Sequence, residues 1–294
     1  MPTFSFLILT YNSSLYIKPL FDSIFDKLSK EIKNGKIELI IVDNASTDTT
    51  IENINKYFED KKNNIVLHES NENLGYARGI NKASTFANGE FLVVVNPDSV
   101  LQNFDGDRII QEFENEKNMA IAGFNLLDYG GVKEKTAGRF FNPVTFLFYA
   151  LGLEGLARLR FSPPNKTKVD FVSGGFVVFR KDYYEKMHGY DEDYFMYVED
   201  MDICFRAKKR GYSVFYLPFA TIKHRGQGSS NREFAIVNIY KGLQLFYTKH
   251  GSFLSQLYVR NLLSIKAALI IFISVVIGKK NLGNTYTKAL KAIS

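Results

Sequence analysis

Apolar runs of strand length alternate with segments of helical spacing through residues 4–95. Phe4–Leu9, Ile37–Val42, Ile65–His68 and Phe91–Val95 read as strands, with Leu15–Ile32, Thr49–Phe58 and Gly75–Ala87 as the helices between them. Leu39-Ile40-Ile41-Val42 and Phe91-Leu92-Val93-Val94-Val95 contain no polar residue, which suits strands covered on both faces. A β-α-β-α-β rhythm makes neighbouring strands parallel through helical crossovers. The expected fold is therefore α/β, with a Rossmann-like, mostly parallel central sheet flanked by helices. Ligands of such sheets gather outside the carboxyl ends of the strands, so the residues after each strand are where chemistry is expected.

The first two strands run into Thr10-Tyr11-Asn12 and Asp43-Asn44-Ala45-Ser46-Thr47-Asp48. Neither turn holds G-x-G-x-x-G, and the chain has no G-x-x-x-x-G-K-[ST]; this argues against an NAD enzyme and a P-loop NTPase. Asp43 suits two jobs: a turn or helix-capping carboxylate, or an acceptor for a nucleobase imide or ribose hydroxyl. The third strand leads to Asn73-Leu74-Gly75-Tyr76-Ala77-Arg78-Gly79-Ile80-Asn81, a glycine-softened helix start of the kind that favours phosphate, with Arg78 between the glycines. After the fourth comes Asn96-Pro97-Asp98. Hard divalent ions take one or two carboxylates plus substrate phosphates, a role open to Asp98, although Asn-Pro-Asp also serves as a plain turn.

Further on, Phe171–Phe179 reads as a strand split by Gly174-Gly175, Glu199–Arg210 as a helix, Tyr212–Tyr216 and Thr221–His224 as short strands, and Phe234–His250 as a helix. Six of the twelve residues from Asp191 to Asp202 are carboxylates. They suit a solvated face or a helix N-terminus, but the interleaved Phe195, Met196 and Val198 imply partial burial. Burial raises a carboxyl pKa and makes a better general base. A lone histidine is more often structural than a ligand, but His224, at a strand end before a Gly/Ser loop at 225–230, could also complete a metal site with Asp98. Residues 100–170 are less regular; within them Phe140–Leu153 is apolar and aromatic, with Arg139, Arg158 and Arg160 around it.

Charge divides the chain. Residues 1–202 carry a net −8 and residues 203–294 a net +14, with Glu233 the single acid of the latter. An anionic partner is expected at the basic end. Leu262–Gly278 is apolar apart from Ser264, Lys266 and Ser274, and is bounded by Arg260 and Lys279-Lys280. Its length is at the short edge of what spans a bilayer, so a helix lying on the cytoplasmic leaflet against anionic head groups is expected. A buried core helix or a homodimer helix is the alternative, and a true membrane span ranks third. One cysteine, Cys204, suits a reducing compartment, and Phe4–Leu9 meets polar Thr10 too soon for a secretory leader. The expected location is the cytoplasm, peripherally at the inner face of the cell membrane. Nucleic acid is not an expected partner, since neither a helix-turn-helix nor a stacking platform is present.

Taken together in register, these strand-end segments, with Ser173-Gly174-Gly175, Gly189-Tyr190-Asp191-Glu192, Glu199-Asp200-Met201-Asp202 and His224, resemble family-2 glycosyltransferases of the GT-A fold. The resemblance spans about residues 3–250, and order and spacing are nearest to the bacterial rhamnosyltransferase-like branch. It implies a GT-A domain at 1–250 and a basic, apolar helical extension at 251–294. By the same resemblance Asp43 would hold the nucleobase, Thr10 and Asn12 would line the nucleotide pocket, and Arg78 would lie near the diphosphate. Asn96-Pro97-Asp98 matches the D-x-D-type motif, Asp98 and His224 being ligands to Mg²⁺ or Mn²⁺; Asn96, where many members carry Asp, implies weaker metal binding. Asp200 matches the catalytic base and Glu199 the neighbour that orients the acceptor. Gly174, Gly175 and Asp191 fall in the acceptor region. The implied reaction is inverting transfer from a nucleoside-diphosphate sugar, dTDP-rhamnose or a UDP-hexose, to a hydroxyl of a glycan or polyprenyl-linked saccharide in bacterial surface polysaccharide synthesis. Two other readings compete. A sugar-nucleotide pyrophosphorylase needs a Gly/Arg/Lys loop after the first strand, which is missing. A non-catalytic saccharide-binding or scaffold protein predicts missing carboxylates, whereas Asp43, Asp98 and Asp200 are all present.

Overall fold

The computed structural model describes residues 1–60, 64–153, 155, 159–224 and 231–294. Arg158 and the Gly/Ser loop at 225–230 lie outside the described residues. The amino-terminal half follows the alternation: β1 (Phe4–Thr10), α1 (Ser14–Lys33), β2 (Ile37–Asp43), α2 (Thr50–Phe58), β3 (Ile65–Glu69), α3 (Gly75–Ser84) and β4 (Phe91–Val95). These strands pair in parallel in the order β3-β2-β1-β4, with Thr10 opposite Asp43 at the carboxyl end. Helix α1 buries Ile17, Leu20, Phe21, Ile24, Leu28 and Ile32, one stripe at helical spacing.

Beyond β4 come β5 (Ser99–Asn103), α4 (Gly106–Asn115), β6 (Met119–Leu127), β7 (Ala137–Gly138), α5 (Pro143–Ala150), β8 (Arg160–Phe161), β9 (Thr167–Val169), β10 (Phe171–Val172), β11 (Phe176–Arg180), α6 (Lys181–Lys186), α7 (Glu199–Lys209) and β12 (Ser213–His224). The large sheet continues from β4 as β11-β6-β12-β5, with β9 also on β12. Here the expected parallel character gives way to mixed pairing. β11 is antiparallel to β4 and β6, and β12 is parallel to β6 but antiparallel to β5 and β9. The reason lies at Ser173-Gly174-Gly175. The apolar run 171–179 is two strands: β10 belongs to a small sheet, β10-β7-β8, and β11 to the large one. No crossover helix separates them, and antiparallel entry needs none. Conversely, the two short strands expected at 212–224 are one strand, β12, with a register shift between Tyr216 and Thr221. Pro218 sits in that irregular stretch and cannot donate to the ladder; its carbonyl accepts from Asn125 Nδ2 at 2.5 Å.

Two cores cover the faces of the sheet. One centres on α1, α2 and α4, the other on α3, α7 and the carboxy-terminal helices α8 (Arg232–His250), α9 (Phe253–Val276) and α10 (Lys280–Lys291). Helix α9 buries only Val259, Leu263, Ala267 and Ser274. At Ser274 it meets Gly283 of α10 so closely that a Cβ on Gly283 would stand 2.4 Å from the Ser274 Oγ. By length and composition α9 is long and apolar enough to cross a membrane, with 22% of its most apolar window buried.

Candidate active site

The carboxyl ends of β1, β2 and β4 form a floor held by short polar side chains. Asp43, only 2% exposed, accepts from Thr10 Oγ1 at 2.7 Å, from Ser46 Oγ at 2.6 Å and from the Ser46 amide at 2.8 Å. Asn12 stands at φ 48, its Oδ1 taking the Thr47 amide at 2.8 Å. Asn44 carries the link onward: Nδ2 donates to Asn73 Oδ1 and the Gly75 carbonyl, and Oδ1 accepts from the Leu74 amide. The start of α3 is thereby pinned beside the strand ends.

Over this floor opens a cavity of about 450 Å³, with Tyr11, Asn44, Tyr76, Asn96, Asp98 and His224 in its lining. β12 pairs with β5 so that His224 lies opposite Ser99, which brings its Nε2 to 3.3 Å from Asp98 Oδ1. The other ring nitrogen, Nδ1, faces Glu134 Oε1 at 3.5 Å. Burial disfavours the charged imidazole, but the hydrogen bonds and charge of Asp98 and Glu134 outweigh it and lift the pKa to about 10. Two carboxylates around one ring make the spot favourable for positive charge. A buried carboxylate and an imidazole turned by a second carboxylate also form an oxygen–nitrogen donor set that fits Mn²⁺ or Mg²⁺, with open positions for diphosphate oxygens. Among the described residues no third histidine, cysteine or acid joins a metal-holding group.

A second cavity, about 470 Å³, adjoins the first at Tyr197, which lines both. Glu199 and Asp200, at the first turn of α7, sit in its wall. The chain reaches them through two consecutive left-handed residues, Tyr197 at φ 71 and Val198 at φ 72. A β-branched residue there is strained and is held only where its surroundings dictate it. Gly242 of α8 supplies that seat, since a Cβ on it would stand 2.8 Å from Val198 Cγ2 and 2.9 Å from the Tyr197 carbonyl. Burial, then the Asp200 charge, pushes the Glu199 carboxyl well up, and Glu199 Oε2 has no hydrogen-bond partner. The Asp200 carboxyl is also raised by burial, against the opposing charge of Arg160 and the amides of Met201 and Gly174.

Tyr76 joins the two halves. Its hydroxyl donates to the Gly174 carbonyl at 2.9 Å, lies 3.5 Å from Asn96 Oδ1, and is kept protonated by burial and the negative field of Glu199, Asp200 and Asp98. A Cβ on Gly174 would meet that hydroxyl at 3.3 Å, and one on Gly175 the Asn96 amide at 3.4 Å. The structure thus brings together Asn96, Asp98 and His224 in one cavity and Glu199 and Asp200 in the next, with Gly174 and Gly175 between. Thr10, Asn12 and Asp43 do not line the first cavity; their neighbours Tyr11 and Asn44 do. Two expected site residues are turned elsewhere. Arg78 is exposed, donating to the Glu192 carbonyl at 3.3 Å, and Asp191 is ion-paired to Lys249 at 2.5 Å; neither lines either cavity. Tyr76, Glu134, Arg160 and Tyr197 were missed by sequence reasoning. Tyr76 stands inside the glycine-rich motif and was hidden by its glycines; no local pattern signals the other three.

The model for "Glycosyl transferase family 2" matches residues 5–187, more than half of the chain. This chain belongs to glycosyl transferase family 2. A second model, "N-terminal domain of galactosyltransferase", matches residues 162–226, which contain Asp200 and His224. This family-2 chain is 28% identical to the O-antigen chain rhamnosyltransferase WbaN of Salmonella anatum over 237 residues, 80% of this chain and 70% of WbaN. Its fold is that of the mannosyltransferase PcManGT from Pyrobaculum calidifontis, solved with GDP-Man and Mn²⁺ (TM-score 0.58, 16% identity, 99% of this chain and 86% of that one). GalNAc-T7, solved with UDP, GalNAc and Mn²⁺, shares the fold at TM-score 0.61 and 12% identity, over 84% of this chain and half of its own. A GT-A glycosyltransferase fold with a carboxy-terminal apolar helix describes the family-2 chain.

Proposed function

We propose that this family-2 glycosyltransferase transfers a sugar with inversion from a nucleoside-diphosphate donor to an acceptor hydroxyl in bacterial surface glycan synthesis. The observation that carries the reading is the meeting of two cavities at Tyr197, one holding Asp98 and His224, the other Glu199 and Asp200. The donor would lie over the ends of β1, β2 and β4, with Tyr11 and Asn44 beside the nucleoside and Asp43 shaping the floor from below. Asp98 and His224 would hold Mn²⁺ or Mg²⁺, which supplies neutralisation of the diphosphate leaving group, an effect of several kcal/mol in metal-assisted transfers. Likeness to WbaN favours dTDP-rhamnose over a UDP-hexose as donor.

Asp200 would take the acceptor proton as the hydroxyl oxygen attacks the anomeric carbon from the second cavity. Its raised pKa supports that role, because a base with more proton affinity than a free aspartate draws the proton more strongly. Glu199, with one oxygen unpartnered, would accept a hydrogen bond from a second acceptor hydroxyl. Residues 1–250 would form the transferase domain and 251–294 its membrane-facing extension, with the enzyme on the cytoplasmic face of the cell membrane. A non-catalytic saccharide-binding or scaffold role gives no use for a strained turn that presents a desolvated carboxylate pair.

The test combines calorimetric titration with uridine and thymidine diphosphates, with and without Mn²⁺, and turnover of Asp200→Asn. Metal-dependent binding of one nucleotide is expected, together with a loss of about 10²–10⁴-fold in kcat and unchanged nucleotide affinity in the variant. Near-normal transfer by Asp200→Asn would sink the assignment of the base, and absent nucleotide binding in folded protein would sink the donor site.

A further inference from the structure

The acceptor-side cavity has a wall the transfer chemistry does not require. Besides Glu199 and Asp200, it is lined by three cations, Lys135, Arg139 and Arg160, and by apolar side chains including Phe141, Leu159 and Leu243. The cations are exposed and the carboxylates are buried or half-buried, so positive charge stands at the rim and the base at the floor. β7 and β8 of the small sheet bring the arginines together: Gly138 pairs with Arg160, and the Arg139 amide donates to the Leu159 carbonyl. Among the described residues, none of the three cations is within ion-pair distance of a carboxylate. The Arg139 guanidinium lies over the Phe161 ring at 5.8 Å and that of Arg160 over Phe171 at 5.4 Å, while Arg160 Nη1 donates to Ser173 Oγ at 3.1 Å. Guanidinium groups stacked by their faces keep N–H edges open, the arrangement that recognises phosphate.

A bare oligosaccharide has no use for so apolar a wall or for three cations gathered at its rim. The wall also leads outward. Tyr149 lines the cavity from α5, and its carbonyl accepts from Lys266 of α9 at 2.7 Å. Alongside, Val144, Leu147 and Leu151 of the α5 segment and Ile265, Leu269 and Phe272 of α9 are exposed.

We propose that Lys135, Arg139 and Arg160 form an acceptor-side phosphate subsite, taking the phosphate or diphosphate of an amphiphilic acceptor whose hydrocarbon chain leaves along α5 and α9. The proposal rests on the reading of Asp200 as the base that faces the acceptor, and it chooses a lipid-linked acceptor over a free glycan.

The full chain, in chelator, is titrated with farnesyl diphosphate, farnesol and inorganic pyrophosphate, alongside the Arg139→Gln/Arg160→Gln and Arg139→Lys/Arg160→Lys variants. Farnesyl diphosphate is expected to bind, the glutamine pair to weaken it at least about tenfold, and the lysine pair to fall between wild type and the glutamine pair, since it keeps the charge but loses the planar fork. Farnesol and pyrophosphate are each expected to bind at least about tenfold more weakly than farnesyl diphosphate. Undiminished binding by the glutamine pair overturns the proposal, as does no binding of farnesyl diphosphate to the wild type. Equal binding of pyrophosphate and farnesyl diphosphate overturns it too, since the site would then take free phosphate without using its apolar wall. If the double variant does not fold, the single Arg160→Gln variant is read in the same way. Nucleoside diphosphate with Mn²⁺ is titrated against the same wild-type protein. Its failure to bind would remove the donor reading, whereas its binding beside a failed farnesyl diphosphate titration would remove only the subsite.

Discussion

The proposed base, Asp200, owes its proton affinity to its surroundings rather than to its residue type. Burial raises its carboxyl while the Arg160 charge and two backbone amides oppose the rise. A group that must be deprotonated to work loses activity as pH falls through its pKa, so the acid limb of kcat/KM is expected above the ordinary aspartate range. Arg160→Gln removes an opposing charge and should move that limb to higher pH, a shift that a purely structural arginine would not produce; a pH–rate profile of the variant reads it. The second residue of interest has no side chain. Gly242 leaves room for the left-handed Val198, and Gly242→Ala puts a methyl against Val198 and the Tyr197 carbonyl. Overpacking of about 1–3 kcal/mol is expected. Because it falls on the turn that aims Glu199 and Asp200, turnover should drop at least about tenfold with nucleotide affinity unchanged, which steady-state kinetics and calorimetry together would establish.

At the level of elements, α7 has to stay where that turn puts it. Its acids lie in the first turn and Arg206, Lys208 and Lys209 in the last, in the sense the helix dipole favours. The stronger hold is Asp202, which is fully buried and accepts from Arg206 Nε at 2.6 Å, with His250 Nε2 also at 2.6 Å. His250 closes the last turn of α8, so this cluster ties the helix of Asp200 to the helix that seats its strained approach. Arg206 also donates to the carbonyls of Met187 and Gly189, extending the tie to the segment after α6. Removing one partner of a buried ionic cluster leaves charge uncompensated, and Asp202→Asn is expected to cost about 3–5 kcal/mol in urea unfolding. A loss below about 1 kcal/mol would show the cluster to be a surface-like pairing. Asp191 belongs to this structural set: bound to Lys249 of α8, it fastens the loop before α7.

For the whole molecule, charge and apolar surface coincide. The 251–294 extension carries six basic residues and no acid, and α9 presents Phe272, Ile273, Val275 and Val276 to solvent. An apolar face edged by lysines is what an anionic bilayer surface attracts. Sedimentation with phosphatidylglycerol vesicles should carry the protein down, less so at high salt, and Phe272→Asp/Val276→Asp should leave it in the supernatant. Equal sedimentation of that variant would count against membrane docking through α9 and favour a face covered by protein.

The sequence by itself determined the parallel half of the sheet, because strand and helix periods are local and β1 to β4 follow a regular alternation whose apolar runs have no other way to be buried. It also singled out Asp98, Glu199, Asp200 and His224 as candidates, since strand ends and helix starts are legible punctuation. Tertiary structure alone decided the rest. Phe171–Phe179 divides between two sheets, and residues 212–224 run through Pro218 as one strand, because pairing partners distant in the chain choose where a strand stops. Arg78 turns to Glu192 and Asp191 to Lys249, partners far along the chain that only the fold brings into reach. The meeting of Asp98, His224 and Glu134, and of Asp200 with Arg160, is of the same kind: each member is written in the sequence, but the distances that make them chemistry exist only once the sheet has closed.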